Sequence, residues 1–324
     1  MKRIGLVLGA GGVVGQAYHA GVLAALEHDW GWDARGADVI VGTSAGSITG
    51  SLLRAGIPAT ELAAWTVKAP LSRQGRRLRR ILGTEIPQLE PFRAANLLRP
   101  PSLPGRDMLT RAVIRPWRFR PVAAALSLLA PGRLDILEQL AALREVERRA
   151  WPERDLWVCA VRRRDGRRVV FGRPGSPAVP LHLAIAASCA VPGYFAPVPI
   201  GGDAYLDGGA HSPTNAAILR ARSLDLVIVI SPMSGPSPRL PTNLTGGVRW
   251  HATRMVRREV AALRAAGTPV VVFRPGPDEN EAMGNDFMSR ERVNTIVQRA
   301  FVAAGAYAAR SDVGQRLAAL GFAR

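Results

Sequence analysis

Twice before Arg54 the chain runs from a short apolar stretch into a cluster of small residues and out again into helical spacing. The first unit is Ile4 to Leu8, then Gly9-Ala10-Gly11-Gly12, then Ala17, Val22, Leu23 and Leu26. The second is Asp38 to Val41, then Gly42-Thr43-Ser44-Ala45-Gly46, then a helical stretch to about Arg54. A continuous apolar run too short for a helix reads as a strand buried on both faces. Two strand–turn–helix units in succession require a parallel sheet with crossover helices, because parallel neighbours cannot be joined by a tight hairpin. Further strands are expected at Leu156 to Val161, Arg168 to Phe171 after the hairpin-like Asp165-Gly166, Tyr205 to Leu206, Leu226 to Ile230 and Val270 to Phe273. Helices are expected at Leu181 to Ser188, Gly247 to Ala266 and Arg290 to Ala309. No internal repeat or long linker divides the 324 residues, so one domain is expected.

The middle of the chain differs. Between Lys68 and Arg120 lie 13 basic residues and three acidic ones, with Pro70, Pro87, Pro91, Pro100, Pro101, Pro104 and Pro116 interrupting any long helix. This reads as a cap inserted over residues 68–150 that covers the sheet without joining it. The compact apolar run Val122 to Leu129 follows the charged part. The whole chain carries +18, which invites a nucleic-acid reading, but Lys2 and Lys68 are its only lysines. So lopsided a use of Arg points to nucleotide bias in the coding genome. No recognition motif interleaves aromatics with the arginines, and nucleic acid is excluded as a partner. Cys159 and Cys189 lie in apolar surroundings without metal-binding spacing, so they read as core thiols of a reducing compartment, and no metal is expected. No apolar run approaches a membrane span or a secretory leader, and the expected location is cytoplasmic.

Gly42-Thr43-Ser44-Ala45-Gly46 matches G-x-S-x-G between an expected strand and an expected helix, the context in which that pattern presents a nucleophilic serine. Small flanking residues let strand and helix close around the turn, and the helix N-terminus directs N–H groups toward developing negative charge. The loop Gly9 to Gly15 fails the dinucleotide pattern, since the sixth residue from Gly9 is Val14, and no Walker lysine follows. It reads either as an oxyanion hole, where glycines expose backbone N–H groups, or as a structural turn. Asp207-Gly208-Gly209 closes an apolar strand and is either a turn or the site of a carboxylate base. Of the histidines, His19, His28 and His182 fall in expected helices with partly buried or solvated roles, leaving His211 and His251.

The order glycine loop, G-x-S-x-G, D-G-G resembles the patatin-like phospholipase family over most of the chain outside the cap. The stretch Leu6 to Gly15 is similar to the family's oxyanion segment. Ala186 to Val198, with Pro192, Gly193 and Pro197, is similar to its stretch of small residues and prolines ahead of the aspartate. The resemblance implies a three-layer α/β/α fold with a mainly parallel sheet and an Arg- and Pro-rich helical cap. It implies Ser44 as nucleophile and Asp207 as base of a Ser-Asp dyad without histidine, and Gly11, Gly12 and the N–H of Ala45 as oxyanion donors. Gly9, Gly15, Gly42, Gly46, Gly208 and Gly209 support the turns, and no cofactor is implied. Two residues depart from the family's pattern: Ala10 stands where Gly is usual, and Val14 where a cation is usual.

The expected activity is hydrolysis of carboxylic esters of lipids, of phospholipase A, lysophospholipase or esterase type. Acyl transfer, thioester hydrolysis with the same dyad and a non-catalytic lipid-binding descendant are the other readings. A conventional triad of Ser44, Asp207 and His251 is disfavoured, because that fold places several strands before its nucleophile and here there is one. If the charge of residues 68–120 has a function, it is contact with an anionic membrane surface, with Val122 to Leu129 at the interface.

Overall fold

A computed structural model describes residues 2–82, 106–114, 121–140, 151–235 and 244–322. Eight strands form one sheet: β1 (Ile4–Leu8), β2 (Val39–Thr43), β3 (Asp155–Arg162), β4 (Arg167–Phe171), β5 (Val198–Ile200), β6 (Asp203–Asp207), β7 (Leu226–Ile230) and β8 (Val270–Phe273). Their spatial order is β5-β6-β3-β2-β1-β7-β8, with β4 also paired to β3. The five strands β3, β2, β1, β7 and β8 are parallel, while β4, β5 and β6 add antiparallel pairings at one side. The fold is the expected α/β/α sandwich around a mainly parallel sheet.

The sequence of the central strands explains both helical layers. Successive strand residues point to opposite faces. In β1, Ile4, Leu6 and Leu8 enter one core, and in β7 Leu226, Ile228 and Ile230 join them. The alternate residues Val7, Val227 and Val229 enter the other. The first core is filled by α1 (Gly12–Trp30), α2 (Ala45–Arg54), α3 (Ala59–Thr66), α8 (Leu181–Cys189) and α11 (Val293–Ala308). The second is closed by α9 (Leu244–Ala265) through Val256, Val260 and Leu263. Helix α1 crosses the middle of the larger core and is buried along nearly its whole circumference, as a helix apolar all round must be. A Cβ on Gly21 would run into the Val297 carbonyl, so the close crossing of α1 and α11 requires glycine there.

The described residues between 68 and 150 form four helices: α4 (Arg73–Leu82), α5 (Arg106–Ile114), α6 (Pro121–Leu128) and α7 (Ile136–Gln139). None of these contributes a strand to the sheet. Much of the charged stretch at 68–120 lies outside the described residues. The apolar run starting at Val122 is α6, and it is only partly open: Ala123, Ala124 and Ser127 are buried while Val122 is exposed. Two small helices, α10 (Pro277–Met283) and α12 (Ser311–Ala318), complete the described chain.

Local periodicity missed β5, a three-residue strand centred on Pro199, because it is too short to show alternation. It pairs with β6, so Asp207 does not end an edge strand.

Candidate active site

Strand β2 ends at Thr43 and α2 begins at Ala45, which leaves Ser44 alone at the junction with φ 53° and ψ −123°. A residue with a side chain enters that region only when its surroundings impose it, at a cost of roughly 1–3 kcal/mol. Here the surroundings are explicit. The Ser44 N–H donates to Ser188 Oγ at 2.9 Å, and the Ser188 hydroxyl donates to the Cys159 carbonyl at 2.7 Å. The Ser44 carbonyl accepts from the Ser47 hydroxyl at 2.7 Å and from its N–H at 2.8 Å. A Cβ on Gly42 would stand 2.5 Å from Ser47 Cα, and one on Gly46 would collide with the Leu8 carbonyl. The small residues of G-x-S-x-G thus let α2 lie against the end of β1 and force the serine into its turn.

Strand register brings Asp207 to the same place. Thr43 pairs with Cys159 on β3, and the next β3 residue, Ala160, pairs with Asp207 on β6. The Ser44 side chain lies close enough to the Asp207 carboxyl to favour its charged form, and that carboxylate accepts from the Gly209 N–H at 2.7 Å. Asp207 is buried, and burial pushes its carboxyl up to about 7, with the Ser44 side chain and the Gly209 bond opposing that rise. Gly208 presses on the Cys159 carbonyl, where a Cβ would collide.

The glycine loop completes the cluster. The Gly9 N–H donates to the Ile230 carbonyl at 2.9 Å, Ala10 to Pro213 at 2.7 Å and Val14 to Phe287 at 3.2 Å. Gly11 precedes α1, and a Cβ there would stand 2.7 Å from Gly15 Cα and 2.9 Å from Pro232 Cβ. Gly12 takes φ 61°, in the left-handed region where glycine carries no steric cost. A Cβ on Gly209 would lie 3.4 Å from that of Ala10, so this loop and the D-G-G turn touch. Val14 is buried among apolar neighbours, and the loop is held by backbone hydrogen bonds where the family pattern has a cation. Gly12, Ser44 and Ala45 border one small apolar pocket, so the N-terminal ends of α1 and α2 meet beside Ser44.

The hydrogen bond described to the Asp207 carboxyl comes from the Gly209 N–H. His251 sits on α9 and His211 follows the 3-10 turn Gly208–Ala210. His28 is solvated beside Asp29, as expected. His19 is wholly buried, beyond the partial burial expected of it, because α1 is covered on all sides.

Sequence reasoning missed Asn215 and Glu259. Asn215 holds φ 53° and is fully buried. Its amide donates to Thr43 Oγ1 at 3.1 Å, to the Gly208 carbonyl at 3.3 Å and to the Ser212 carbonyl at 2.7 Å, and its Oδ1 accepts from Arg168 at 3.2 Å. It therefore ties the residue before Ser44 to the residue after Asp207. Glu259 on α9 anchors the same loop, accepting from the Thr214 hydroxyl and, at 2.9 Å, from the Ala216 N–H. The only local signal was a polar Ser212-Pro213-Thr214-Asn215 run following D-G-G, which any turn could produce.

A serine held on a strained strand–helix turn beside a buried aspartate, in an α/β/α sandwich, defines a class of serine-centred α/β proteins. The patatin-like phospholipase family model matches residues 6–220, and the chain belongs to that family. The chain is 30% identical over 258 residues to uncharacterized NTE family proteins of Mycobacterium tuberculosis and Mycobacterium bovis, covering 79% of this chain and 56% of theirs. It thus spans a little over half the length of those relatives. Among solved structures it is similar to the type III effector protein ExoU, with 16% identity, a TM-score of 0.38 and coverage of 98% of this chain and 53% of that one. It is also similar to VipD from Legionella pneumophila, with 12% identity, a TM-score of 0.41 and coverage of 98% and 67%. Among the described residues no helix is long and apolar enough to cross a membrane.

Proposed function

We propose that this protein is a serine hydrolase of carboxylic esters, of the lipid acyl hydrolase type, working through an acyl-enzyme on Ser44 with Asp207 as its base. The observation that carries the reading is the placement of Ser44, on its forced strand–helix turn, beside a buried Asp207 carboxyl raised to about 7. An ordinary carboxylate near 3.9 is a feeble base toward an alcohol, and each unit of increase strengthens it. Asp207 takes the Ser44 proton as Oγ attacks the ester carbonyl carbon. The tetrahedral oxyanion is met by N–H groups of Gly11, Gly12 and Ala45. Asp207 then passes the proton to the departing alcohol oxygen. Water, deprotonated by Asp207, attacks the acyl-enzyme, and Ser44 leaves with its proton restored. No cofactor enters any step. We assign the whole chain to one patatin-like domain, with residues 68–150 as its cap and 68–120 as its contact with an anionic bilayer, so that the enzyme is cytoplasmic and peripherally bound. Acyl transfer to an alcohol shares the same acyl-enzyme, and product analysis with added lysolipid separates the two.

The test is fluorophosphonate labelling and aryl-ester turnover by the wild type and by Ser44→Ala. Labelling and turnover should both vanish in the variant; a variant that retains either sinks the reading. The acid limb of kcat/KM provides a second check. Because Asp207 must be ionised, kcat/KM should fall through a midpoint near pH 7 and then about tenfold per pH unit. A midpoint near pH 4 would mean that burial does not tune the base.

Asn215 acts here as a positioning residue, holding Thr43 and Gly208 at fixed separation. Asn215→Asp removes the donating amide and adds negative charge near Asp207. We expect kcat to fall roughly 10- to 100-fold and the acid midpoint to move up by about a unit, since a like charge disfavours ionisation. A change in KM alone, with the pH profile fixed, would contradict that role.

A further inference from the structure

Arg249 on α9 is a mostly buried cation, and among the described residues no carboxylate is paired with it. Burial alone pulls its pKa down to about 10, which leaves it charged at neutral pH. Its bonds go to backbone instead. The guanidinium donates to the Pro232 carbonyl at 3.2 Å and to the Gly284 carbonyl at 3.4 Å, and it lies over the Phe287 ring at 5.1 Å. Pro232 and Phe287 are the two supports on which the glycine loop rests. Pro232 follows β7, and a Cβ on Gly11 or Gly15 would stand 2.9 or 3.5 Å from its own Cβ. Phe287 lies in a turn after α10, and its carbonyl accepts from the Val14 N–H at 3.2 Å. A Cβ on Gly12 would collide with that carbonyl and stand 3.1 Å from Met288 Sδ. Neither support belongs to a helix or a strand, so regular backbone bonding does not fix their separation. The Thr245 hydroxyl, donating to the Asn285 carbonyl at 3.1 Å, is a second tether from α9 to the Phe287 turn.

We propose that Arg249 is a positioning residue for the glycine loop, bridging its two supports so that the Gly11 and Gly12 N–H groups keep the alignment that a tetrahedral oxyanion requires. The inference rests on the esterase reading and adds to it a residue from beyond residues 6–220. Oxyanion donors act by being aligned before the charge appears, so whatever holds the loop still contributes to the rate. A guanidinium suits the task. Its planar fork donates in two directions while its face stacks on a ring, and it is more weakly hydrated than an ammonium, so burying it costs less. A lysine would keep the charge, but its single nitrogen cannot serve a carbonyl on each side and cover the Phe287 ring as well. Arg249 acts through Pro232 and Phe287.

The experiment compares the wild type, Arg249→Met and Arg249→Lys in p-nitrophenyl ester kinetics across pH, fluorophosphonate labelling, thermal melting and amide hydrogen exchange. For Arg249→Met we expect kcat to fall about 10- to 100-fold, less than the roughly 100- to 1,000-fold cost of deleting an oxyanion donor, with KM changed by less than about threefold. The labelling rate should fall in parallel, because phosphonylation builds negative charge on the same oxygen position. The acid midpoint should stay where it is, since the dyad is not touched. Exchange should quicken over Gly9 to Gln16 and stay unchanged over α2. Arg249→Lys should lie between the two proteins, and if Arg249→Met does not fold it is read alone, with kcat at least about threefold below the wild type. A folded Met variant with wild-type kcat, a loss carried by KM, a shifted acid midpoint or unchanged exchange in the glycine loop overturns the proposal and leaves the esterase reading standing; so does a Lys variant equal to the wild type when it is read alone. A wild type that turns over no ester and takes no fluorophosphonate overturns both.

Discussion

Asp207→Asn should be inactive and more stable than the wild type. The catalytic half follows from the proposed dyad: an amide cannot take the Ser44 proton, and loss of a catalytic base typically costs several orders of magnitude. The stability half follows from linkage. Burial lifts the Asp207 carboxyl from 3.8 to about 7 in the folded protein. Between those values the folded state binds the proton and the unfolded state does not, so Asp207 favours folding below about pH 4 and loses that contribution as pH rises through 7. At pH 8 the ionised carboxylate is held at a cost of up to about 4 kcal/mol, at roughly 1.4 kcal/mol per unit. An asparagine of the same shape carries no charge, and its Oδ1 can still accept from the Gly209 N–H. We expect a gain of about 1–4 kcal/mol at pH 8 that shrinks toward pH 4, measured by urea unfolding at both pH values. Equal stability of the two proteins at pH 8 would show that the site does not hold a strained charge.

The second large effect is acid instability from His19. Its ring is fully buried between α1 and α2, with Nδ1 3.3 Å from Thr49 Oγ1. Burial lowers its pKa from 6.5 to about 3. The unfolded chain therefore binds this proton between pH 6.5 and 3 and the folded one does not. The stability His19 contributes is intact above pH 6.5 and drains away as pH falls toward 3, amounting to about 3 kcal/mol by pH 4. His19→Leu removes the titrating group and the Nε2 atom, which has no hydrogen-bond partner among the described residues. Between pH 8 and pH 4 this variant should lose about 3 kcal/mol less than the wild type in urea titrations. A parallel decline of the two proteins would place the acid sensitivity elsewhere.

The two groups pull in opposite directions over nearly the same pH window. As pH falls from 7 to 4, Asp207 adds stability while His19 removes it. Asp207→Asn should therefore be the more acid-sensitive protein, and His19→Leu the less sensitive one. Both effects come from single ionisable groups buried in the fold, His19 on α1 and Asp207 at the end of β6.

The sequence alone was enough for the framework. Glycine turns, apolar runs and helical spacing are local properties, and they placed β1, β2, β3, β4, β7, β8, α8, α9 and α11 close to where they lie. The same locality exposed Ser44, because only small neighbours allow its turn, and it marked Asp207 as a strand-end carboxylate. Tertiary structure decided what those residues experience. The pairing of Thr43 with Cys159 and of Ala160 with Asp207 sets the distance between serine and carboxylate, and no local pattern carries a strand's register with a distant partner. Asn215 reaches Thr43 across 172 residues, and Met288 reaches Gly12 from beyond the family-matched segment. His19 looked like an ordinary helical histidine until packing closed every side of α1. The shift of Asp207 to about 7 has the same origin, since desolvation is the summed effect of everything folded around a group and is written in no single stretch of chain.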